Sequence, residues 1–272
     1  MIRHRQIASE QELAQVLDWA ADEGWNPGLS DAAAFLAADP GGFFAASHGP
    51  DPVAAIAVVN HSDDMAFLGL YLCRAAYRGR GIGYDLWRHA LAHAGARTVG
   101  LDGVAAQQDN YARSGFVRAG ATRRFEGSLE PARDGAVSLL RPGDFDAVSA
   151  LDARACGYAR PAFLRAWLDG TRDRVSVRSD TGFATARLCG DGIKIGPIVA
   201  PTPGAALTLA RAALAELPAG TAIVDLPDHA TGFEALLRAA GFVETFATAR
   251  MYRGAAPGTS ASQHAIATME LG

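Results

Sequence analysis

The chain has 272 residues, 49% of them hydrophobic and 20% charged, with a formal net charge of −4. That length holds one large domain or two ordinary ones, and that balance excludes a chain disordered throughout. A mildly acidic chain with no basic tract argues against a nucleic-acid surface, and no apolar run approaches the roughly 20 residues of a membrane helix. Met1-Ile2-Arg3-His4-Arg5-Gln6 lacks the apolar segment of a signal peptide, so a soluble, cytoplasmic protein is expected. Cys73, Cys156 and Cys189 stand far apart and read as small buried hydrophobes in apolar settings, not as metal ligands.

In chain order, Leu13, Val16, Leu17 and Ala20 recur at helical spacing over 12–23, and Ser9 stands as an N-cap before them. Gly24-Trp25-Asn26-Pro27-Gly28 breaks the chain, and Ser30 or Asp31 opens a short helix through Ala38. Phe43 to Ser47, Val53 to Val59 and Met65 to Cys73 read as strands separated by turn residues, an antiparallel meander. A helix over 82–94, a strand near 98–101, a short helix over 106–114 stopped by Gly115 and a strand over 116–125 complete the first half.

The second half repeats this order. Strand-like Val137 to Leu140 precedes helices over 145–155 and 161–168, and three strands follow over 174–178, 182–188 and 193–199. A helix over 205–217, a strand over 221–226 and a helix over 230–240 come next, and a strand-like run over 263–271 ends the chain after a loop. Locally, Ser114-Gly115-Phe116-Val117 leads to Arg124 and Ala240-Gly241-Phe242-Val243 leads to Arg250 at the same distance, with Leu101-Asp102 and Val224-Asp225 upstream. Two such copies predict a tandem repeat, with domains over 1–130 and 137–272 joined by a polar linker. The last strand is expected to cross back to the other domain's sheet.

Between the strand ending at Cys73 and the next helix lies Tyr77-Arg78-Gly79-Arg80-Gly81-Ile82-Gly83-Tyr84. A glycine-rich turn opening a helix collects main-chain N–H groups around an anion, and glycine lets the anion approach the backbone. The dinucleotide spacing Gly-x-Gly-x-x-Gly fails in both frames, because the third position is Tyr84 or Leu86, and the Gly-Lys-Ser/Thr of a P-loop is absent. Arg78-x-x-Gly81-x-Gly83 remains, and downstream stands Tyr111-Ala112-Arg113-Ser114-Gly115-Phe116.

Together these resemble the pyrophosphate loop and the Tyr-x-x-x-Gly-Phe mark of the GNAT acetyltransferases. The pairing with a second, degenerate copy resembles a two-domain bacterial subgroup that includes YitH-like proteins. The resemblance implies an α/β fold of the α+β type: tandem GNAT domains, each a mixed, mostly antiparallel sheet flanked by helices. It implies an N-acetyltransferase that moves the acetyl group of acetyl-CoA to a primary amine of a small molecule by direct attack, needing no metal and contacting neither nucleic acid nor membrane, as a monomer or homodimer. A non-catalytic acyl-CoA sensor and a protein-lysine acetyltransferase are the alternatives.

By the same resemblance Leu72 and Cys73 offer main-chain groups to the pantetheine arm. Arg78, Gly79, Arg80, Gly81, Ile82 and Gly83 bind the pyrophosphate, with Asn110 close to the cofactor. Tyr111 protonates the departing thiolate. Many members carry a Glu on the strand before the loop, yet Phe67-Leu68-Gly69-Leu70-Tyr71-Leu72 holds no carboxylate. A water relay, or Asp31 or Asp102, is left to serve as base, and Val104 stands where the family often has Asn. Trp25, Asn26, Asp31 and Asp102 are the acceptor-side candidates, with local packing or pairing as the competing role. His89 and His93 share one helix four residues apart, but no third ligand accompanies them. The turn in the second copy, Gly196 to Gly204, lacks the Arg-x-x-Gly-x-Gly pattern, and its prolines remove N–H donors, so that half is expected to bind no CoA.

Overall fold

Residues 1–272 are all described in a computed structural model. The first half runs β1 (Ile2–Gln6), α1 (Glu10–Asp22), α2 (Asp31–Ala38), β2 (Phe43–His48), β3 (Asp51–Asn60), β4 (Met65–Cys73), α3 (Ile82–Leu91), β5 (Thr98–Gly103), α4 (Gln108–Arg113) and β6 (Val117–Gly127). The second half runs β7 (Ser138–Leu139), α5 (Phe145–Cys156), α6 (Pro161–Leu168), β8 (Arg174–Arg178), β9 (Phe183–Leu188), β10 (Ile193–Val199), α7 (Pro203–Leu214), β11 (Ala222–Pro227), α8 (Thr231–Ala239) and β12 (Val243–Arg253), and a short β13 (Gln263–Ala265) follows. Element for element, β1 to β6 match β7 to β12.

Local chemistry accounts for most of these boundaries. Ser9 caps α1 by accepting from the Glu12 N–H at 3.2 Å, and Leu13, Val16, Leu17 and Ala20 form its buried face. Gly115 and Gly241 both take positive φ where α4 and α8 turn into the following strand, the left-handed geometry that suits glycine. Two strands escape the periodicity. β1 is short and carries Arg3, His4 and Arg5, and β12 is exposed over its first half, so neither shows an apolar run.

All thirteen strands join in one sheet of order β1-β2-β3-β4-β5-β12-β6-β11-β10-β9-β8-β7, with β13 beside β10. The pairing is antiparallel except at β4·β5 and β10·β11. The centre of the order shows an exchange. β12 of the second half pairs with β5 of the first, and β6 of the first pairs with β11 of the second. The strand that crosses between halves is therefore β12, and not the last strand, which the sequence points to. β13 pairs with β10 of its own half, because β12 already fills the place beside β5.

The exchange explains the repeated Asp and Arg positions. Asp102 on β5 sits opposite Arg250 on β12, and Asp225 on β11 sits opposite Arg124 on β6. Each pair is bidentate, at 3.0 and 2.7 Å for Arg250–Asp102 and 2.7 and 2.9 Å for Arg124–Asp225. One copy's Arg thus answers the other copy's Asp, twice.

The helices divide over the two faces. α3 covers the first half's sheet through Ile82, Leu86, Trp87 and Ala90, and α7 and α8 cover the second half's through residues such as Leu209, Leu214, Phe233 and Leu237. On the other face α1 and α2 share one core with α5 and α6, where the Phe35 and Trp167 rings stack at 6.1 Å. The cysteines are free; Cys189 and Cys156 are buried, but Cys73 at the end of β4 is only half-buried, and Cys156 is not in an apolar setting: its Sγ lies 3.3 Å from the Gln263 amide and 3.7 Å from Asp152.

Candidate active site

β4 creates the site by leaving its neighbour. The parallel ladder with β5 ends at Leu68↔Leu101, so residues 69–73 have no partner on that side. Opposite β3 the register slips, with Leu70 and Tyr71 standing against Ile56 alone, a bulge that puts Leu70 at φ 47°. A leucine at positive φ is a strained backbone, held by the packing around it. The strands splay into a cleft with a groove on one side and a cavity on the other.

The groove has a volume of about 470 Å³ and runs past Tyr71, Leu72 and Cys73 to Arg78, Gly79, Gly81, Ile82, Gly83 and Tyr84. Gly79 and Gly81 take φ 72° and 78°, and Gly81 is the N-cap of α3. The first helical bond is Asp85 N–H to Gly81 C=O, and the main-chain N–H groups of Gly79 through Tyr84 have no acceptor in the protein. Such a row at a helix N-terminus is an anion site by geometry and dipole. Arg78 donates to the Cys73 carbonyl at 2.8 Å and pairs with Glu23, which ties the loop to the strand end. Arg80 packs over the Tyr77 ring instead of lining the groove.

The cavity, about 500 Å³, meets the groove at Glu23, Trp25, Tyr71, Val104 and Gln107. Leu68, Gly69, Tyr111, Arg124, Glu126, Phe246, Thr248, Met269 and Glu270 complete much of its wall, so both halves build it. The Tyr111 ring stacks on Trp87 at 5.4 Å, and its hydroxyl bonds to no protein group. Burial, with Tyr71 close by, raises its pKa and keeps it protonated well beyond neutral pH, while burial pushes Tyr71 up to about 12.

The sequence candidates part company here. Leu72, Cys73, Arg78, Gly79, Gly81, Ile82, Gly83, Trp25, Asp102 and Tyr111 all border the cleft. Asn110 does not, because its exposed amide binds Gln107 at 2.6 Å and Arg113; Gln107 and Val104 line the cleft in its place. Asn26 is turned away to bond both the N–H and C=O of Asp191. Asp31 lies outside the cavity, sealed between Arg174 at 2.6 Å and Arg187 at 3.2 Å. Burial opposes its charge, but Arg187, Arg174 and the Gly28 N–H outweigh that and hold its carboxyl below the usual range. Asp102 touches the cavity with its acceptors taken by Arg250, Thr122 and Thr248. The oxygens of both aspartates are occupied by donors from the surrounding structure. His93 bonds Asp39 at 2.8 Å and His89 packs against His4 and Phe44.

Three cavity carboxylates were not singled out from the sequence: Glu23, Glu126 and Glu270. Glu23 and Glu126 carry no motif. Glu270 stands 199 to 201 positions beyond Gly69, Leu70 and Tyr71, with which it lines the cavity, and no local pattern marks it.

The corresponding cleft of the second half is closed. β10 and β11 pair only at Ile193↔Ala222 and Lys194↔Ile223, and β13 fills the opening beside β10. A Cβ on Gly196 would lie 2.0 Å from the Ile266 carbonyl oxygen. At α7 the cap Thr202 accepts the Ala205 N–H itself, and Pro203 offers no donor.

Two models of the GNAT acetyltransferases match the chain, one over residues 10–120 and one over 148–267. The holothin acyltransferase of Pseudoalteromonas sp. (strain SANK 73390) is 36% identical over 97% of this chain and 93% of its own length. A structure from Pyrococcus horikoshii assigned to the acetyltransferases covers all of this chain and 96% of that one, with a TM-score of 0.85 at 21% identity. A tandem GNAT protein from the clavulanic acid biosynthesis pathway covers 96% and 100%, with a TM-score of 0.66 at 18% identity. At those identities the two structures speak for the fold.

Proposed function

Since this chain belongs to the GNAT acetyltransferase family, within which it is an acyltransferase, we propose that it transfers the acetyl group of acetyl-CoA to a primary amine of a small molecule by direct attack. The observation that carries the reading is the row of free N–H groups from Gly79 to Tyr84, set at the mouth of a groove that leads along β4 to the cavity beside Tyr111.

The N–H row and the α3 dipole bind the pyrophosphate, and the glycines let it reach the backbone. The unpaired edge of β4 at Leu72 and Cys73 holds the pantetheine arm, which sets the thioester at the splay. The amine enters from the cavity and attacks the acyl carbon, the C–S bond breaks, and the Tyr111 hydroxyl gives its proton to the leaving sulfur. Residues 1–130 form the catalytic domain, and 137–272 act as a wall to the acceptor cavity that binds no CoA of their own. A cavity of about 500 Å³ enclosed by both halves suits a small acceptor better than a lysine on a protein surface. The working form is a cytoplasmic monomer or homodimer.

The test is release of free CoA thiol from acetyl-CoA over amino acids, polyamines, amino sugars and holothin, with product mass as the second readout. Holothin enters because of the relative's name. Gly81→Glu sets a carboxylate into the anion site at a residue with φ 78° and abolishes acetyl-CoA binding. Tight binding of acetyl-CoA without thiol release on any amine overturns the reading.

A further inference from the structure

The reaction as described has an acid and no base. β4 carries no carboxylate, and Asp31 and Asp102 are spoken for. We propose that Glu270, carried into the first half's cleft by the C-terminal tail of the second half, is the general base that takes the proton from the acceptor amine. This rests on the transferase reading.

The path of the tail places it. After β13 the chain passes Ile266, whose N–H donates to the Asp225 carbonyl at 3.0 Å, and then runs over β4. A Cβ on Gly69 would lie 1.9 Å from the Glu270 carbonyl oxygen, so only glycine admits the tail at that position. Gly69 is the first residue of β4 beyond its last pair with β5, which is where the splay opens. The far end is anchored twice: His61 bonds the Leu271 carbonyl at 2.7 Å, and the buried Arg160 bonds that of Gly272. One tail therefore closes the second half's cleft with residues 263–266 and furnishes the first half's with Met269 and Glu270.

The carboxylate is placed to act. Glu270 is 6% exposed and lines the cavity. Oε2 accepts from the Thr268 hydroxyl, which fixes the group, and Oε1 accepts from no protein donor and is not sealed from the cavity. The rivals are worse placed. Glu23 is exposed and held by Arg78, and Glu126, hydrogen-bonded by one hydroxyl as Glu270 is, is only half-buried, so its carboxylate lies in a more solvated setting. Burial raises the Glu270 pKa, working against the cations that face it, Lys194 from β10, Arg187 from β9 and Arg124 from β6, and aided by Asp31 from α2. A carboxylate so raised is a stronger base than an exposed one.

The step balances. As the N–C bond forms, the amine proton passes to Oε1 of Glu270; as the C–S bond breaks, the sulfur takes the Tyr111 proton. Glu270 then returns its proton to the Tyr111 phenolate through solvent, leaving amide and free thiol.

The experiment compares wild type, Glu270→Gln and Glu126→Gln, measuring kcat/KM for the amine from about pH 5.5 to about 9 and acetyl-CoA affinity by calorimetry. Glu270→Gln keeps the shape and the Thr268 contact. The expected result is a loss of about 100-fold or more in turnover, acetyl-CoA affinity within about twofold, and removal of the acid limb belonging to the base; Glu126→Gln, also on the cavity wall, keeps that limb whatever it does to the KM for the amine. A Glu270→Gln enzyme with the wild-type rate and acid limb overturns the assignment, as does a loss of acetyl-CoA affinity equal to the loss of turnover, which marks a structural role. Wild type inactive on every amine refutes the transferase reading itself, an outcome separate from either.

Discussion

Gly69→Ala tests the link between the tail and the cavity with one methyl group. The new Cβ would stand 1.9 Å from the Glu270 carbonyl oxygen, 2.7 Å from its carbonyl carbon and 2.9 Å from its Cα. Ordinary contact begins at 3.4 Å, so the tail must retreat by about 1.5 Å, and overpacking of this kind typically costs about 1–3 kcal/mol. Every atom in conflict is backbone, so no rotamer change can relieve it. The tail holds by the Ile266, His61 and Arg160 bonds, which the displacement strains. That cost appears as local opening: about 5- to 150-fold faster hydrogen exchange at the Ile266 and Gly272 amides, with little change in β2 or β3. Turnover falls because Met269 and Glu270 leave the cavity wall, while acetyl-CoA affinity holds because no tail residue lines the groove. Exchange read by mass spectrometry, with calorimetry and thiol release on the same preparation, makes the comparison. Wild-type protection over 266–272 together with wild-type turnover refutes the reasoning.

Tyr111→Phe removes the hydroxyl and keeps the ring on Trp87, so kcat is expected to drop about 100-fold with acetyl-CoA affinity unchanged; a parallel loss of affinity in calorimetry contradicts the acid role. Asp225→Asn leaves the buried Arg124 without its counter-charge and is expected to cost about 3–5 kcal/mol in urea unfolding, and Asp102→Asn costs somewhat less because Arg250 is partly exposed; a loss under about 1 kcal/mol in both would show that the crossed pairs do not hold the halves together. His61 gives a pH signature. Burial, then Arg160, lowers its pKa to about 4 from 6.5, so its folded state binds fewer protons than its unfolded state between those values. Its contribution is complete above about pH 6.5 and is lost as the pH falls to about 4, roughly 3 kcal/mol in all, and the stability difference between wild type and His61→Gln should shrink over that window; parallel curves exclude it.

Most of the fold was legible because it is local. Helices α1, α3 and α8 announce themselves by the spacing of buried residues, and β4, α6 and β10 begin and end where apolar runs meet turn residues. The loop was legible for the same reason: Gly79, Gly81 and Gly83 alternate within five residues, and a backbone cradle needs only a glycine pattern and the start of a helix. The repeat of Asp and Arg was visible too, but not its use. Periodicity says which side of a strand is buried and not which strand lies beside it, so the exchange of β6 and β12, and with it the crossing of Arg124 to Asp225 and Arg250 to Asp102, belongs to the tertiary structure alone. For the same reason Asp31 and Asn26 looked available from their loop and turned out to be bound to the second half, by Arg174, Arg187 and Asp191. The groove side of the cleft is written mostly within residues 71–84, whereas the cavity side is assembled from segments between Glu23 and Glu270, up to 247 positions apart. Chain-local chemistry determined the first, and only the packing of one half on the other decided the second.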